Sequence, residues 1–291
     1  MKQFKGTGVA LVTPFNKEGQ IDFEALERLV NYQIDNGVDY LVVLGTTGET
    51  ATLSGKEKSL VKNCVLETCK GRVPVVLGLG GNNTHQILKD LEEDDFTGFS
   101  AILSVSPYYN KPSQEGIYQH YKALSQKSPL PIILYNVPPR TGSNIQVETV
   151  LRLADECDNI IGIKEAAGDF EQILELIGKT PDDFLVISGE DKLALPLVLA
   201  GGDGVISVVG QGLPEAFSRM IRLGLEGNSR EAYAIFYSLT ESIDLAFAEG
   251  NPSGIKCMLH SLKISEPFVR LPLVPASSEL RQKINTFVDQ F

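Results

Sequence analysis

Residues 159–169 read NIIGIKEAAGD. The run Ile160-Ile161-Gly162-Ile163 offers no polar side chain for a water-facing side. It therefore reads as a strand covered on both faces, as in a parallel sheet lying under helices. Lys164 ends the run. A lysine leaves water only where something compensates it, so either the strand surfaces here or the fold keeps an amine in a pocket for a purpose.

Seven further runs share this continuous apolarity: GVALV from Gly8, YLVVLG from Tyr40, VPVVLGLG from Val73, SAILSV from Ser100, PIILYN from Pro131, FLVISGE from Phe184 and DGVISVV from Asp203. Between them lie amphipathic helical patterns. In DFEALERLVNYQIDNG, Phe23, Leu26, Leu29, Val30 and Ile34 recur at helix spacing and Gly37 follows as a stop. In SGKEKSLVKNCVLETCKG, Ser54 is a candidate N-cap and Gly71 a candidate stop. Strand starts fall about 20 to 35 residues apart, the length of one βα unit. Eight such units predict an α/β fold, a closed (β/α)8 TIM barrel. An open doubly wound sheet would carry a Gly-rich turn after its first strand, whereas here that strand runs into Thr13-Pro14-Phe15. Beyond DGVISVV come only helical patterns: PEAFSRMIRLGLEG, REAYAIFYSLTESIDLAFAEG and SSELRQKINTFVDQF. The expected division is a barrel over residues 1–225 and a small helical C-terminal extension over 226–291.

The chain has 291 residues, 43% hydrophobic and 22% charged, with a net charge of −11. A surface for nucleic acid or anionic membranes needs clustered positive charge, so neither partner is expected. No apolar run is long enough to span a bilayer. Four cysteines without a C-x-x-C pair, and an N-terminus lacking the h-region and cleavage site of a signal peptide, lead to the expectation of a soluble cytoplasmic protein. His85, His120 and His260 have no metal-ligand spacing, and no metal is assigned. The acidic run Glu92-Glu93-Asp94-Asp95 reads as a solvated helix end.

In a barrel of this kind chemistry sits at the C-terminal strand ends and the loops after them. Those positions hold Thr46-Thr47 and Glu49 after the second strand, Tyr108-Tyr109 after the fourth, and Tyr135 and Arg140 around the end of the fifth. Lys164 ends the sixth, Gly189-Glu190-Asp191 follow the seventh, and Ile206-Ser207 end the eighth. Each has an ordinary structural reading alone. Together they bring an amine, phenols, hydroxyls and a guanidinium to one rim. An amine can form a Schiff base with a ketone and so activate the adjacent carbon. A free lysine titrates near about 10.4, and apolar walls disfavour the charged form that cannot attack. Phenols and hydroxyls can move the protons this chemistry needs, Thr46-Thr47 can hold a carboxylate, and the fork of Arg140 can hold a second one. The glycines of Gly201-Gly202-Asp203-Gly204 lie where barrels often bind phosphate, but a tight turn into the eighth strand explains them as well and is preferred.

GTTGE, SPYYNKP, YNVPPRTG and GIKEAAGD, in this order and spacing, closely resemble the dihydrodipicolinate synthases. These belong to the N-acetylneuraminate lyase superfamily of pyruvate-dependent class I aldolases. The resemblance covers essentially the whole chain. It implies that Lys164 forms the Schiff base with pyruvate, that Tyr135 transfers protons, and that Thr46 and Tyr109 complete a hydroxyl relay. It further implies that Thr47 binds the pyruvate carboxylate, that Gly189 and Ile206 line the site, and that Arg140 binds the carboxylate of aspartate 4-semialdehyde. No cofactor is implied, because the protein lysine is itself the electron sink. The tyrosine matching Tyr109 reaches a neighbouring subunit in the family, which implies a homo-oligomer, typically a tetramer built as a dimer of dimers. The product expected is 4-hydroxy-tetrahydrodipicolinate, at the entry to diaminopimelate and lysine synthesis. The alternative on this scaffold is a lyase for N-acetylneuraminate or a 2-keto-3-deoxy sugar acid, which Arg140 disfavours. The resemblance also places a feedback site for lysine at Ala51, Lys58, Asn82, Gln86 and Tyr108. There Asn82 and Tyr108 match, but Lys58 stands where histidine is usual and Gln86 where glutamate is. A cationic effector should bind poorly beside an added cation and without that carboxylate.

Overall fold

The computed structural model describes residues 1–291. Eight strands form a closed barrel in sequence order: β1 (Gly6–Ala10), β2 (Tyr40–Val43), β3 (Val75–Gly78), β4 (Ala101–Val105), β5 (Ile132–Asn136), β6 (Ile160–Glu165), β7 (Leu185–Ser188) and β8 (Gly204–Ser207). Every neighbouring pair is parallel, and β8 closes the barrel on β1 through the pairs Gly6 with Gly204 and Val9 with Ser207. The eight apolar runs all become strands. The glycines of Gly201-Gly202-Asp203-Gly204 serve closure: Gly204 has φ +148°, and a Cβ there would lie 2.0 Å from the Gly6 carbonyl oxygen.

Around the barrel run α1 (Phe23–Asp35), α2 (Gly55–Cys69), α3 (Thr84–Glu93), α4 (Gln114–Lys127), the short α5 (Pro138–Thr141), α6 (Val147–Glu156), α7 (Phe170–Lys179), α8 (Ala194–Leu199) and α9 (Pro214–Leu225). They are followed by α10 (Ser229–Phe247), α11 (Ser253–Ser261) and α12 (Ser278–Gln290). The starts follow the capping chemistry. Asp22 accepts from the Ala25 amide, and Ser54 and Glu57 form a reciprocal capping box at the head of α2. At the other end of α2 the left-handed stop begins one residue before Gly71, at Lys70.

Strand side chains sort into two apolar sets. One fills the barrel interior, with Tyr40, Val42, Leu103, Ile133, Ile187 and Ile206 among its members. The other lies between strands and helices, from Val9, Leu41 and Leu134 out to the helical shell. That outer set runs unbroken into α10, α11 and α12 through Ile243, Met258 and Ile284. α11 escaped the sequence pattern because nearly every one of its side chains is buried, including Lys256, so it shows no polar face.

Candidate active site

β6 carries an irregularity that decides where its last residues point. Strand side chains alternate, so Ile160 facing the helices would put Lys164 on the same outer side. Instead the pairing register shifts between Ile132 and Ile133 of β5, so that Ile160 pairs with Ile132 but Gly162 with Ile133. Ile161 faces the interior, Gly162 aligns with inward Ile133 and Leu185, and Ile163 faces the helices again. This extra residue is a β-bulge, and it inverts the phase of everything after it. Lys164 turns into the barrel and Glu165 turns out. Gly162 is required in this place, since a Cβ would lie 2.6 Å from both the Cβ and the carbonyl oxygen of Leu185.

β5 and β6 then end in step, Tyr135 beside Lys164 and Asn136 beside Glu165. The inner pair faces the barrel interior. Lys164 is 5% exposed, and its Nζ lies 4.4 Å from the centre of the Tyr135 ring. The outer pair is a clamp. Asn136 Nδ2 donates to both carboxylate oxygens of Glu165 at 3.0 and 2.9 Å, and Gln172 Nε2 of α7 donates to the same carboxylate at 2.8 Å. Burial raises the pKa of Glu165, and these donors hold it back.

At the end of β7, the Gly189 amide donates to the Glu165 carbonyl at 2.6 Å. A Cβ on Gly189 would come within 3.0 Å of Lys164 Cε, so glycine here makes room for the lysine stem. Glu190 and Asp191 follow. Asp191 is buried, with Oδ2 accepting from the amides of Val208 at 3.2 Å and Val209 at 3.0 Å. Burial raises the pKa of both acids; the charge of Lys164 opposes this at each, and that of Arg140 also at Glu190. The apolar wall expected around the amine is therefore only part of its surroundings, and the acids after Gly189 are neighbours to which the sequence assigned no role. Ile206 of β8 lies in the same apolar interior as Tyr135.

The loop after β2 presents the hydroxyls. Thr46-Thr47-Gly48 form a single 3-10 turn between two left-handed non-glycine residues, Leu44 at φ +58° and Glu49 at φ +53°. Such conformations cost on the order of 1–3 kcal/mol each and persist only where surrounding structure enforces them. Here the enforcement is visible. Thr50 Oγ1 donates to the carbonyls of Leu44 and Gly45, and Thr13 Oγ1 to that of Gly48. The Glu49 carboxylate accepts from the fully buried Lys256 Nζ at 2.5 Å and from the Arg270 amide at 2.9 Å. Thr47 is buried and its Oγ1 accepts from Asn251 Nδ2 at 2.9 Å. Asn251 and Lys256 lie after the last strand, where the sequence pattern marks no rim position.

Thr46, Tyr135 and Arg140 share a cavity of about 640 Å³ with Asn251. Arg140 rides on α5, where the sequence suggested only a loop; Pro138 starts this turn and Gly142 ends it at φ +72°. Ala51, Lys58 and Tyr108 also line that cavity, while Asn82 and Gln86 do not; Gln86 Nε2 donates to Asp90. Tyr109 stands apart from the group. It is 84% exposed at φ +74° and does not line the cavity. Thr46, Tyr135 and Arg140 thus line one cavity, and the buried Lys164 amine stands behind it against the Tyr135 ring, groups of the kind that Schiff-base chemistry on a carboxylate-bearing ketone uses.

Comparison with known proteins agrees with this geometry. The chain is 58% identical over 290 residues to the 4-hydroxy-tetrahydrodipicolinate synthase of Flavobacterium psychrophilum, covering 100% of this chain and 99% of the relative. The crystal structure of dihydrodipicolinate synthase from Thermotoga maritima superposes with a TM-score of 0.96 at 41% identity, covering 99% of this chain and 98% of that one. A monomeric dihydrodipicolinate synthase variant superposes equally well, also at 0.96 and 41% identity, over 99% of this chain and 97% of its own. Residues 3–291 match the family model described as the dihydrodipicolinate synthetase family. With barrel, strand-end lysine and whole-length similarity in agreement, this chain belongs to the dihydrodipicolinate synthetase family.

Proposed function

We propose that this chain is a lyase of the class I aldolase type that condenses pyruvate with L-aspartate 4-semialdehyde to 4-hydroxy-tetrahydrodipicolinate. The observation that carries the reading is the inward pair at the ends of β5 and β6, Lys164 Nζ against the Tyr135 ring. The neutral amine of Lys164 adds to the pyruvate ketone, and loss of water gives an imine. Removal of a methyl proton gives an enamine, whose carbon attacks the aldehyde. The amino group of the second substrate then adds to the imine carbon and expels Lys164, so one water is released overall. Tyr135 and Thr46 carry the protons, and Tyr109 completes the relay. Thr47 holds the pyruvate carboxylate, with Gly189 and Ile206 shaping the pocket. Arg140, at the cavity rim, receives the carboxylate of the second substrate. No metal or organic cofactor takes part. The synthase names of the relatives favour this reaction over the neuraminate or sugar-acid alternative.

Tyr109 supplies the reason for an assembly. A relay tyrosine that is fully presented to solvent in one subunit fits a role in its neighbour, and we infer a homotetramer built from two dimers. Four free thiols suit a reducing cytoplasm. The test of the chemistry is borohydride reduction in the presence of pyruvate, followed by mass mapping. The modification should fall on Lys164, and active protein left unmodified there would sink the mechanism. A coupled assay offering each aldehyde in turn then tests the second substrate, and sedimentation tests the tetramer.

A further inference from the structure

Asn251 lies in the loop between α10 and α11, far from the rim in sequence, yet it lines the cavity beside Thr46, Tyr135 and Arg140. Its Nδ2 donates to Thr47 Oγ1 at 2.9 Å, and its Oδ1 is buried without a partner. Thr47 is itself buried, and its hydroxyl proton meets no acceptor in the chain. A hydroxyl has one proton to give. By occupying a lone pair of Oγ1, Asn251 leaves that proton to be offered elsewhere. The other end of the turn is fixed from the same extension, because Lys256 Nζ holds Glu49 and donates to the Phe268 carbonyl at 2.8 Å.

We propose that Asn251 is a positioning residue for the reaction: it polarises the Thr47 hydroxyl so that its proton points at the carboxylate of the bound keto acid. This rests on the reading of Thr47 as the carboxylate holder. The C-terminal extension is then part of the substrate site, acting through the loop it touches.

The test measures half-saturation by pyruvate in borohydride trapping at Lys164, using the full chain. A hydrogen bond to a charged group, when lost, weakens binding by roughly ten- to a hundredfold. Asn251→Ala should raise the half-saturation point about tenfold. Asn251→Asp, the same size, should raise it further, toward about a hundredfold, because a carboxylate can only accept from Thr47 and repels the substrate anion. In a Thr47→Val background both changes should lose most of their effect, the non-additivity expected of residues acting as a unit. Melting temperatures followed alongside separate this from a loss of fold. Unchanged half-saturation in the Asn251 variants, a smaller effect from Asp than from Ala, or effects that add to Thr47→Val would each overturn the proposal. A wild-type chain that traps no pyruvate at all would overturn the Schiff-base reading and this inference with it.

Discussion

Two lysines are buried in this molecule, and they are buried in opposite ways. Lys256 is fully enclosed and saturated: Glu49 at 2.5 Å, the Phe268 carbonyl at 2.8 Å and the Phe15 ring at 4.1 Å. Lys164 is almost as deep but forms no ion pair, and stands against the ring of Tyr135, a residue that lines the cavity. One amine is held by compensation and serves the fold. The other is held by backbone geometry and left available. Burial of a lysine alone therefore does not point to a nucleophile; the role proposed for Lys164 rests on burial without a partner at a strand end.

The sharpest way to break this comparison is to exchange the consequences of removing each amine. Lys164→Ala should lower turnover on the order of a thousandfold or more while leaving chemical denaturation nearly unchanged, since no ionic partner is orphaned. A coupled assay showing substantial residual rate would refute the assignment. Lys256→Ala should do the reverse at first hand, costing about 3–5 kcal/mol in urea titration because Glu49 stays buried and unpaired. Glu49→Gln combined with Lys256→Met should recover most of that loss, and no recovery would mean the pair is not the cause.

His120 extends the comparison to pH. Like Lys164 it is a buried base without an acid; Nδ1 meets Thr84 Oγ1 at 2.8 Å and Nε2 has no partner. Burial pulls its pKa down to about 4 from an ordinary 6.5. Between those values the unfolded chain takes up a proton that the folded chain refuses, so stability is lost as pH falls from 6.5 toward 4. The loss approaches about 3 kcal/mol. His120→Gln should flatten that limb in denaturation curves at pH 7 and pH 4.5, and an unchanged slope would exclude His120 as its source. The smallest effect is expected from free L-lysine. With Lys58 in the cavity wall and Gln86 turned to Asp90, millimolar L-lysine should leave the initial rate within about twofold. Strong inhibition at sub-millimolar concentration would show that the altered residues do not govern the site.

The barrel was legible because its eight strands are apolar on both sides and its helices on one. The same property hid the direction of Lys164. With isoleucines on either side of the chain, nothing in Ile160-Ile161-Gly162-Ile163 reports which way residue 164 faces, and the bulge that settles it has no signature beyond one glycine. The residue types of the site could be read because they fall at strand ends in one rim. Asn251, Lys256 and the acids after Gly189 could not, because their importance comes from distance in space alone: Asn251 and Thr47 are 204 residues apart in sequence. The sequence names Tyr109 beside the other strand-end residues but does not report its outlying place, since its exposure of 84% is a property of the folded subunit.

The bulge in β6 has a consequence for how such a centre could be moved or lost. Lys164 and Glu165 are adjacent, and only the phase of the backbone decides which of them enters the barrel. Straightening the bulge with the number of residues kept, and with no change in any functional side chain, would exchange them. A carboxylate would then occupy the mouth and an ammonium the helical layer beside Asn136 and Gln172. Grafting this strand onto another barrel thus means transplanting its irregular step along with its lysine, because the direction of the amine is encoded in parity as much as in sequence.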